Sequence, residues 1–211
     1  QVDISGRVRT GKVMLYNPEN GRRIKEPHNY ITWVHSLLKK ENFNLRQCLF
    51  GEHLLSSDQK RPVALVESEK SALISSFYLP QYLWIASGGK NGAFNRDAMS
   101  VLRNRRVLLF PDLGATDYWN SKMEMIRSLG IEVSLFDFME RNATKEERDA
   151  GYDIADFLLR EETKDAIFNR LITLNPALKT LVETFDLQLV NVEKAPLSAT
   201  LQHTREGLFK R

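Results

Sequence analysis

Residues 63–70 read Val-Ala-Leu-Val-Glu-Ser-Glu-Lys, and this stretch decides the fold class. Four consecutive apolar residues are typical of a short strand that is buried on both faces, as in a parallel sheet. Residues 69–77 then have the pattern of a helix. Because a buried strand followed by a helix is the repeating unit of α/β proteins, the stretch favours that class.

The alternation continues toward the C-terminus. Gly130 closes the helix that begins at Asp117, as glycine often does at a helix C-terminus. The pattern therefore predicts an α/β domain with a mainly parallel four-stranded sheet. We expect its further strands at residues 82–86, 107–110 and 131–136, and its further helices at residues 96–104, 117–129 and 154–159.

A different pattern precedes residue 61. Residues 12–16 predict a strand, residues 17–21 a turn and residues 22–25 a return strand, which together predict a β-hairpin. In residues 30–47, apolar side chains recur at helical spacing. A polar loop at residues 56–62 follows. We expect a small α+β segment at residues 1–60, an α/β domain at residues 61–165 and a C-terminal helical extension at residues 166–211.

Composition narrows the class of protein. Of the 211 residues, 42% are hydrophobic and 27% are charged, which excludes a wholly disordered chain. No apolar run approaches the roughly 18 residues that a membrane helix needs, so we expect no membrane partner. Cys48 is the only cysteine, which excludes an internal disulfide and favours a reducing, cytoplasmic setting. Because residue 1 is Gln rather than Met, we expect a fragment of a longer chain.

Charge is unevenly distributed along the chain. Residues 1–60 hold 10 Lys and Arg against 6 Asp and Glu, and residues 61–111 hold 7 against 3. Residues 112–165 hold 7 against 14. A basic region can face phosphates and an acidic one can hold a divalent cation, but a solvated surface is the simpler explanation of either.

Three predicted strand ends carry polar or glycine residues. Glu67 follows the first strand, Gly88, Gly89 and Lys90 follow the second, and Asp112 follows the third. Because ligands of such sheets bind beyond the carboxyl ends of the strands, we expect these groups to converge there. Two carboxylates can bind Mg²⁺, and a glycine loop lets backbone N–H groups approach a phosphate.

These motifs resemble the Toprim domain, a Rossmann-like family shared by bacterial primases, topoisomerases and some nucleases. The resemblance covers about residues 62–160 and implies that Glu67 is a general acid/base or metal ligand and that Asp112 is a metal ligand. Residues 11–16 and 47–55 are similar to primase-like proteins of bacterial mobilisable transposons, in which a zinc ribbon often precedes this region. This sequence carries no ribbon, so we expect it to be the fragment downstream of one.

The Toprim pattern has a second aspartate two residues after Asp112, where this chain has Gly114. Asp117 can substitute as a metal ligand, or it can serve only as a residue that the dipole favours in the first turn of a helix. Asp153 and Asp156 resemble the Asp-rich segment that follows the sheet in primase-like Toprim proteins. They can equally be a helix cap and a solvated residue.

Basic side chains provide candidate phosphate contacts. Lys12, Arg22 and Arg23 lie on the predicted hairpin, where they can grip nucleic-acid phosphates or simply protect a solvated strand edge. Lys70 and Lys90 lie next to the predicted strand ends, and we expect them to add positive charge near a phosphate.

Three further functional interpretations find little support in the sequence: a P-loop, a base-stacking tryptophan and a zinc site. The glycine loop is not a P-loop, because Asn91 follows Lys90 where that motif requires Ser or Thr. Trp119 is most simply a core residue, with base stacking as the alternative. No standard zinc pattern fits the remaining candidates, His28, His35, Cys48 and His53.

The resemblance implies a Toprim-containing, primase-like protein of a bacterial mobile element that uses Mg²⁺ or Mn²⁺ for nucleotidyl transfer. Its partners would be single-stranded DNA as template and nucleotides, together with replication or mobilisation proteins. Two alternatives remain open. One is a catalytically impaired nucleic-acid-binding module that keeps the fold, and the other is a Mg²⁺-dependent nuclease.

Overall fold

A computed structural model describes residues 1–18, 21–89, 92–160 and 164–189. The chain divides into two compact units, residues 1–161 and residues 162–211. The first unit holds both sheets and the cleft described below. The predicted boundary between residues 60 and 61 falls inside this unit and stays a prediction.

A small antiparallel sheet opens the first unit. It pairs β1 (Lys12–Met14) with β2 (Ile31–Trp33). The predicted return strand at residues 22–25 forms only a single bridge, between Tyr16 and Arg23, next to the turn. The main ladder partner of β1 is therefore a segment that sequence spacing assigned to a helix. That assignment was wrong at residues 31–33, where the β-branched Ile and Thr and the aromatic Trp suit a strand.

The central sheet has four strands, all parallel, and this confirms the predicted α/β fold. Its strands are β3 (Val63–Val66), β4 (Leu83–Ala86), β5 (Arg106–Leu109) and β6 (Glu132–Leu135). Their order across the sheet is β4-β3-β5-β6. Every residue of β3 and β4 is buried, as expected for strands that are covered on both faces.

Helices cover both faces of this sheet. One face packs Leu65, Leu109 and Trp119 into the larger apolar cluster, and the other packs Val66 and Phe110. The helices of the unit are α1 (Val34–Leu37), α2 (Leu54–Ser57), α3 (Glu69–Tyr78), α4 (Arg96–Met99), which continues as a 3₁₀ turn (Ser100–Leu102), α5 (Thr116–Arg127), α6 (Phe138–Asn142), α7 (Lys145–Ala150) and α8 (Ile154–Leu158).

Side-chain caps set where two of these helices begin. Ser68 accepts a hydrogen bond from the Ser71 backbone N–H at 3.1 Å and so starts α3. Asp153 starts α8 with a reciprocal capping box, in which Asp153 accepts backbone N–H groups of α8 and Asp156 accepts the Asp153 N–H. Each cap satisfies backbone donors that a helix leaves unpaired at its first turn. Both caps lie close to the edge of the central sheet that carries Glu67.

The segment before the central sheet is fixed to that sheet. Phe50 pairs with Ala86 of β4 through two backbone hydrogen bonds of 2.8 and 3.0 Å. Leu49 is fully buried in the core. The buried Glu52 carboxylate accepts the N–H groups of Ile4 and Leu49, at 3.0 and 3.1 Å. The N-terminal segment therefore belongs to the same packed unit as the sheet.

The second unit contains two described helices, α9 (Lys164–Leu174) and α10 (Pro176–Phe185). Asn175 caps α10, and Pro176 takes the first helical position, where its missing N–H costs nothing. Residues 190–211 of the predicted C-terminal extension lie outside the described residues. None of the described helices combines the length and the apolar character that crossing a membrane requires.

Candidate functional site

The strand order brings two carboxylates to neighbouring strand ends. Glu67 follows β3 and Asp112 comes shortly after β5, and these strands are adjacent in the sheet. The chain leaves β3 toward β4 on one side and returns past β3 to form β5 on the other. Such a reversal of strand order opens a crevice at the carboxyl edge of a sheet, where α/β proteins bind ligands.

A cleft of about 690 Å³ lies at this edge and includes both residues. Five carboxylates and four long cationic side chains line it. The carboxylates are Glu26, Glu67, Asp112, Asp153 and Asp156, and the cations are Lys70, Arg22, Arg23 and Lys25. The cleft therefore combines an acidic floor from the central sheet and α8 with basic residues that come mainly from the segment before the sheet.

Asp112 has a strongly perturbed acidity. Burial raises the pKa of its carboxyl group to about 8, and the negative charges of Glu67, Asp153 and Asp156 act in the same direction. Lys70 acts against this rise. A carboxyl group held among other carboxylates in this way keeps its proton near neutral pH unless a cation offsets the repulsion.

The glycine loop after β4 holds the backbone of Glu67. The backbone N–H groups of Gly88 and Gly89 both donate to the Glu67 carbonyl oxygen, each at 3.0 Å. Both glycines have positive φ, of +82° and +124°, which side chains disfavour. The structure shows these N–H groups bonded within the chain, and the predicted contact of the loop with phosphate stays a prediction. Lys90, the third residue of that prediction, lies outside the described residues.

A chain of hydrogen bonds joins the starts of α3 and α8. The Ser68 and Ser71 hydroxyl oxygens are 2.7 Å apart, and the Ser71 hydroxyl donates to Asp153 at 2.5 Å. Ser71 is fully buried and Asp153 is 8% exposed. Asp153 therefore caps α8 and at the same time borders the cleft. Sequence reasoning missed Ser71, because a serine in an apolar helix carries no signal of its long-range partner.

The Lys70 ammonium faces carboxylates. It lies 4.0 Å from Asp153 and 3.8 Å from Asp156, and its side chain is 24% exposed. Asp156 therefore forms an ion pair with Lys70 and also lines the cleft. The sequence suggested a phosphate contact for Lys70, and that role stays a prediction.

Arg22 and Arg23 reach the cleft from the predicted return strand of the hairpin. The Nε of Arg23 is buried and has no hydrogen-bond partner among the described residues. The Arg22 guanidinium lies 5.9 Å from the ring centre of Tyr152, and Arg160 lies 5.1 Å from the same ring. Tyr152 lines the cleft and was not singled out from the sequence.

Two other predicted site residues lie elsewhere. The Lys12 ammonium donates to Glu69 at 2.9 Å and to the Gly88 carbonyl at 2.8 Å, and its side chain is 14% exposed. Lys12 therefore links β1 to the glycine loop and α3.

Asp117 is exposed in the first turn of α5 and is not among the residues that line the cleft. The structure thus does not bring Asp117 into the carboxylate group.

Gly114 occupies a turn that tolerates few side chains. Its φ is +80°, although the space where a Cβ would point is open. Its N–H donates to the Glu140 carboxylate at 2.8 Å, and Thr116 donates to the same oxygen at 3.2 Å. Glu140 also pairs with Arg148. This turn is therefore held by Glu140, a residue that the sequence did not indicate.

The remaining candidates have structural roles. Trp119 is 1% exposed and lies 4.7 Å from Phe94, centre to centre, which favours the core interpretation. Burial raises the pKa of the Cys48 thiol to about 11, so the thiol is unreactive near neutral pH. His35 stacks on Phe43 at 4.4 Å. Within the described part of the chain, no three carboxylate, histidine or cysteine side chains are arranged as a ready-made metal site.

Comparison with protein families gives a match to the first half of the chain. Residues 1–113 match the family described as "Domain of unknown function (DUF6371)". The chain belongs to this family. In this member of DUF6371, the matched region runs from the N-terminus past β5 and includes Glu67, Gly88, Gly89 and Asp112. Asp153 and Asp156 lie beyond it.

The comparison with curated proteins found no match. One similar solved structure is the crystal structure of the Aquifex aeolicus primase, comprising its zinc-binding and RNA polymerase domains. The two chains share 15% sequence identity with a TM-score of 0.45. The match covers 75% of this chain and 41% of the primase chain.

The raised pKa of Asp112 predicts how stability depends on pH. Below about pH 4 this carboxyl is protonated in both folded and unfolded chains. As pH rises from about 4 to 8, the unfolded chain releases the proton first, so Asp112 lowers the free energy of unfolding progressively. We expect Asp112→Asn to be nearly neutral at pH 4 and to stabilise the metal-free protein by roughly 1–4 kcal/mol at pH 8.

Urea unfolding in EDTA measures this difference at both pH values. Asp117→Asn is the matched control, because its exposed carboxylate in the first turn of α5 is favoured by the helix dipole. This control should lose a few tenths of a kcal/mol at pH 8. Equal effects of the two substitutions at both pH values would contradict the account of Asp112.

Proposed function

We propose that the cleft binds a divalent cation, Mg²⁺ or Mn²⁺, together with the phosphates of a nucleotide or of DNA, and that the protein is a primase-like nucleotidyltransferase. The observation that carries this proposal is the placement of Glu67, Asp112, Arg22 and Arg23 around one cleft at the carboxyl edge of the sheet. Carboxylates can hold the metal, and the arginines can hold the phosphates.

The donor set fits a hard divalent cation. Carboxylate oxygens are the ligands that Mg²⁺ prefers, and Mg²⁺ keeps several of its waters, so two protein carboxylates are enough. In this proposal Glu67 and Asp112 hold the ion. A cation there offsets the repulsion that raises the Asp112 pKa. Once bound, such an ion stabilises negative charge on phosphate oxygens during nucleotidyl transfer.

The remaining residues bind and position. Arg22 and Arg23 contact phosphates, because both line the cleft and a guanidinium makes charge-assisted hydrogen bonds to phosphate oxygens. Gly88 and Gly89 hold the Glu67 backbone, which orients its carboxylate as general acid/base or ligand. Single-stranded DNA and nucleotides are the proposed partners. The setting we propose is a bacterial mobile element, with replication or mobilisation proteins alongside.

A second candidate is a nucleic-acid-binding module that keeps this fold without catalysis. Gly114 supports it, because this position supplies no carboxylate and Asp117 is not among the residues that line the cleft. A two-metal mechanism needs ligands for both ions. With fewer carboxylates, one ion can still link the cleft to a phosphate backbone.

Calorimetric titration with Mn²⁺ and Mg²⁺ tests the metal site. We expect the wild-type chain to bind Mn²⁺ and the Glu67→Gln/Asp112→Asn variant to lose at least about tenfold in affinity, because both proposed ligands lose their charge. Asp117→Asn is the control and should bind like wild type. Absence of binding at millimolar metal, with or without DNA, would overturn the proposal.

Assays with DNA then separate the three functions. Metal-dependent incorporation of nucleotides on a single-stranded template supports the primase-like activity. Cutting of DNA without incorporation identifies a nuclease. Salt-sensitive DNA binding that Arg22→Gln/Arg23→Gln weakens, with neither reaction, identifies the binding module.

Placing a carboxylate at position 114 tests whether a second aspartate, as in the Toprim pattern, strengthens the proposed metal site. Asp tolerates positive φ better than most residues, so Gly114→Asp should fold at a cost of about 1 kcal/mol. We expect it to tighten Mn²⁺ binding by roughly threefold to tenfold. Gly114→Asn carries the same backbone strain without the charge and should bind like wild type. Equal affinities of Gly114→Asp and Gly114→Asn would show that position 114 does not face the metal.

A further inference from the structure

Lys70 lies where a cation is unfavourable unless something compensates it. It is the second residue of α3, a ten-residue helix, and the N-terminal end of a helix dipole repels positive charge. The acidic residue of the same turn, Glu69, pairs with Lys12. The compensation for Lys70 therefore comes from another element, the N-terminal turn of α8.

The carboxylates of that turn face Lys70 at distances typical of an ion pair. Its Nζ lies 4.0 Å from Asp153 and 3.8 Å from Asp156. The same cleft also contains Glu67 and Asp112, and the charge of Lys70 lowers the pKa of Asp112. One ammonium thus reduces the repulsion among four carboxylates.

We propose that Lys70 is an internal counter-cation of the carboxylate cluster, which balances the cluster in the metal-free protein and raises the metal concentration at which the cleft fills. The inference rests on the proposed function, because it requires that the cleft bind a metal. A divalent cation at Glu67 and Asp112 repels the nearby ammonium, so metal binding and the Lys70 ion pair oppose each other. Lys70 is a positioning residue in this account, since it acts through the carboxylates.

The test compares Lys70→Gln, Lys70→Arg and Lys60→Gln. Lys60 is exposed and precedes β3, at the opposite edge of the sheet from Glu67, so Lys60→Gln removes the same charge away from the cleft. Mn²⁺ affinity is measured by calorimetry at low salt. We expect Lys70→Gln to bind Mn²⁺ about threefold to tenfold more tightly than wild type, and both other variants to bind within about twofold of it.

The metal dependence of thermal unfolding provides a second readout that packing alone would not change. In EDTA, Lys70→Gln should unfold at a lower temperature than wild type, because the carboxylates lose their counter-charge. At saturating Mn²⁺ this difference should disappear, since the metal replaces that charge. In EDTA, the second substitution in Lys70→Gln/Asp156→Asn should recover the loss.

Three results would overturn the inference. The first is a Lys70→Gln affinity for Mn²⁺ that is equal to or weaker than that of wild type. The second is the same loss of unfolding temperature with and without metal, which would show a packing role alone. The third is absence of Mn²⁺ binding in every variant, which would also end the proposed function, whereas the first two would leave that function standing.

Discussion

Repulsion between carboxylates at the edge shared by β3 and β5 is the constraint on which the site depends. The strand order β4-β3-β5-β6 places Glu67 and Asp112 at this edge. Water and hydrogen-bond donors usually stabilise such charges, but Asp112 is half-buried among other carboxylates and its pKa rises to about 8. The positive charge of Lys70 and the hydrogen bonds to Asp153 offset part of this repulsion.

The segment before the sheet completes the cleft. It contributes Arg22 and Arg23, whose charge opposes that of the floor, and it joins β4 through the Phe50–Ala86 bridge. Lys12 crosses from β1 to the glycine loop and α3. The acidic and basic parts of the cleft therefore form in one folding unit. The family match of residues 1–113 includes Arg22, Arg23, Glu67 and Asp112, and it ends before Asp153 and Asp156.

Much of the central fold was predictable because it depends on local pattern. Four short strand patterns identified β3 to β6, and the polar residues after the first and third of them identified Glu67 and Asp112 as neighbours. Asp153 was also recognised as a candidate helix cap, and it caps α8. These features depend on a few adjacent residues, and the structure places the corresponding elements within a few positions of those predicted.

The interactions that sequence reasoning missed are long-range. Nothing near residues 31–33 shows that they pair with β1, and helical spacing in the following residues favoured a helix. The N–H groups of Gly88 and Gly89 were available for phosphate in the sequence, but the fold brings the Glu67 carbonyl to them. Likewise, the partners of Lys12 lie 57 and 76 residues away in the chain. The resemblance to Toprim proteins and the metal ligands stay predictions.

Anomalous diffraction from crystals grown with Mn²⁺ tests the central claim most directly, because it locates the ion without assuming an activity. The account predicts one strong peak in the cleft, within bonding distance of the Glu67 and Asp112 carboxylates, with Lys70 moved away from Asp153 and Asp156. A peak at Asp117 or Glu140 instead, or crystals saturated with Mn²⁺ that show none in the cleft, would contradict it.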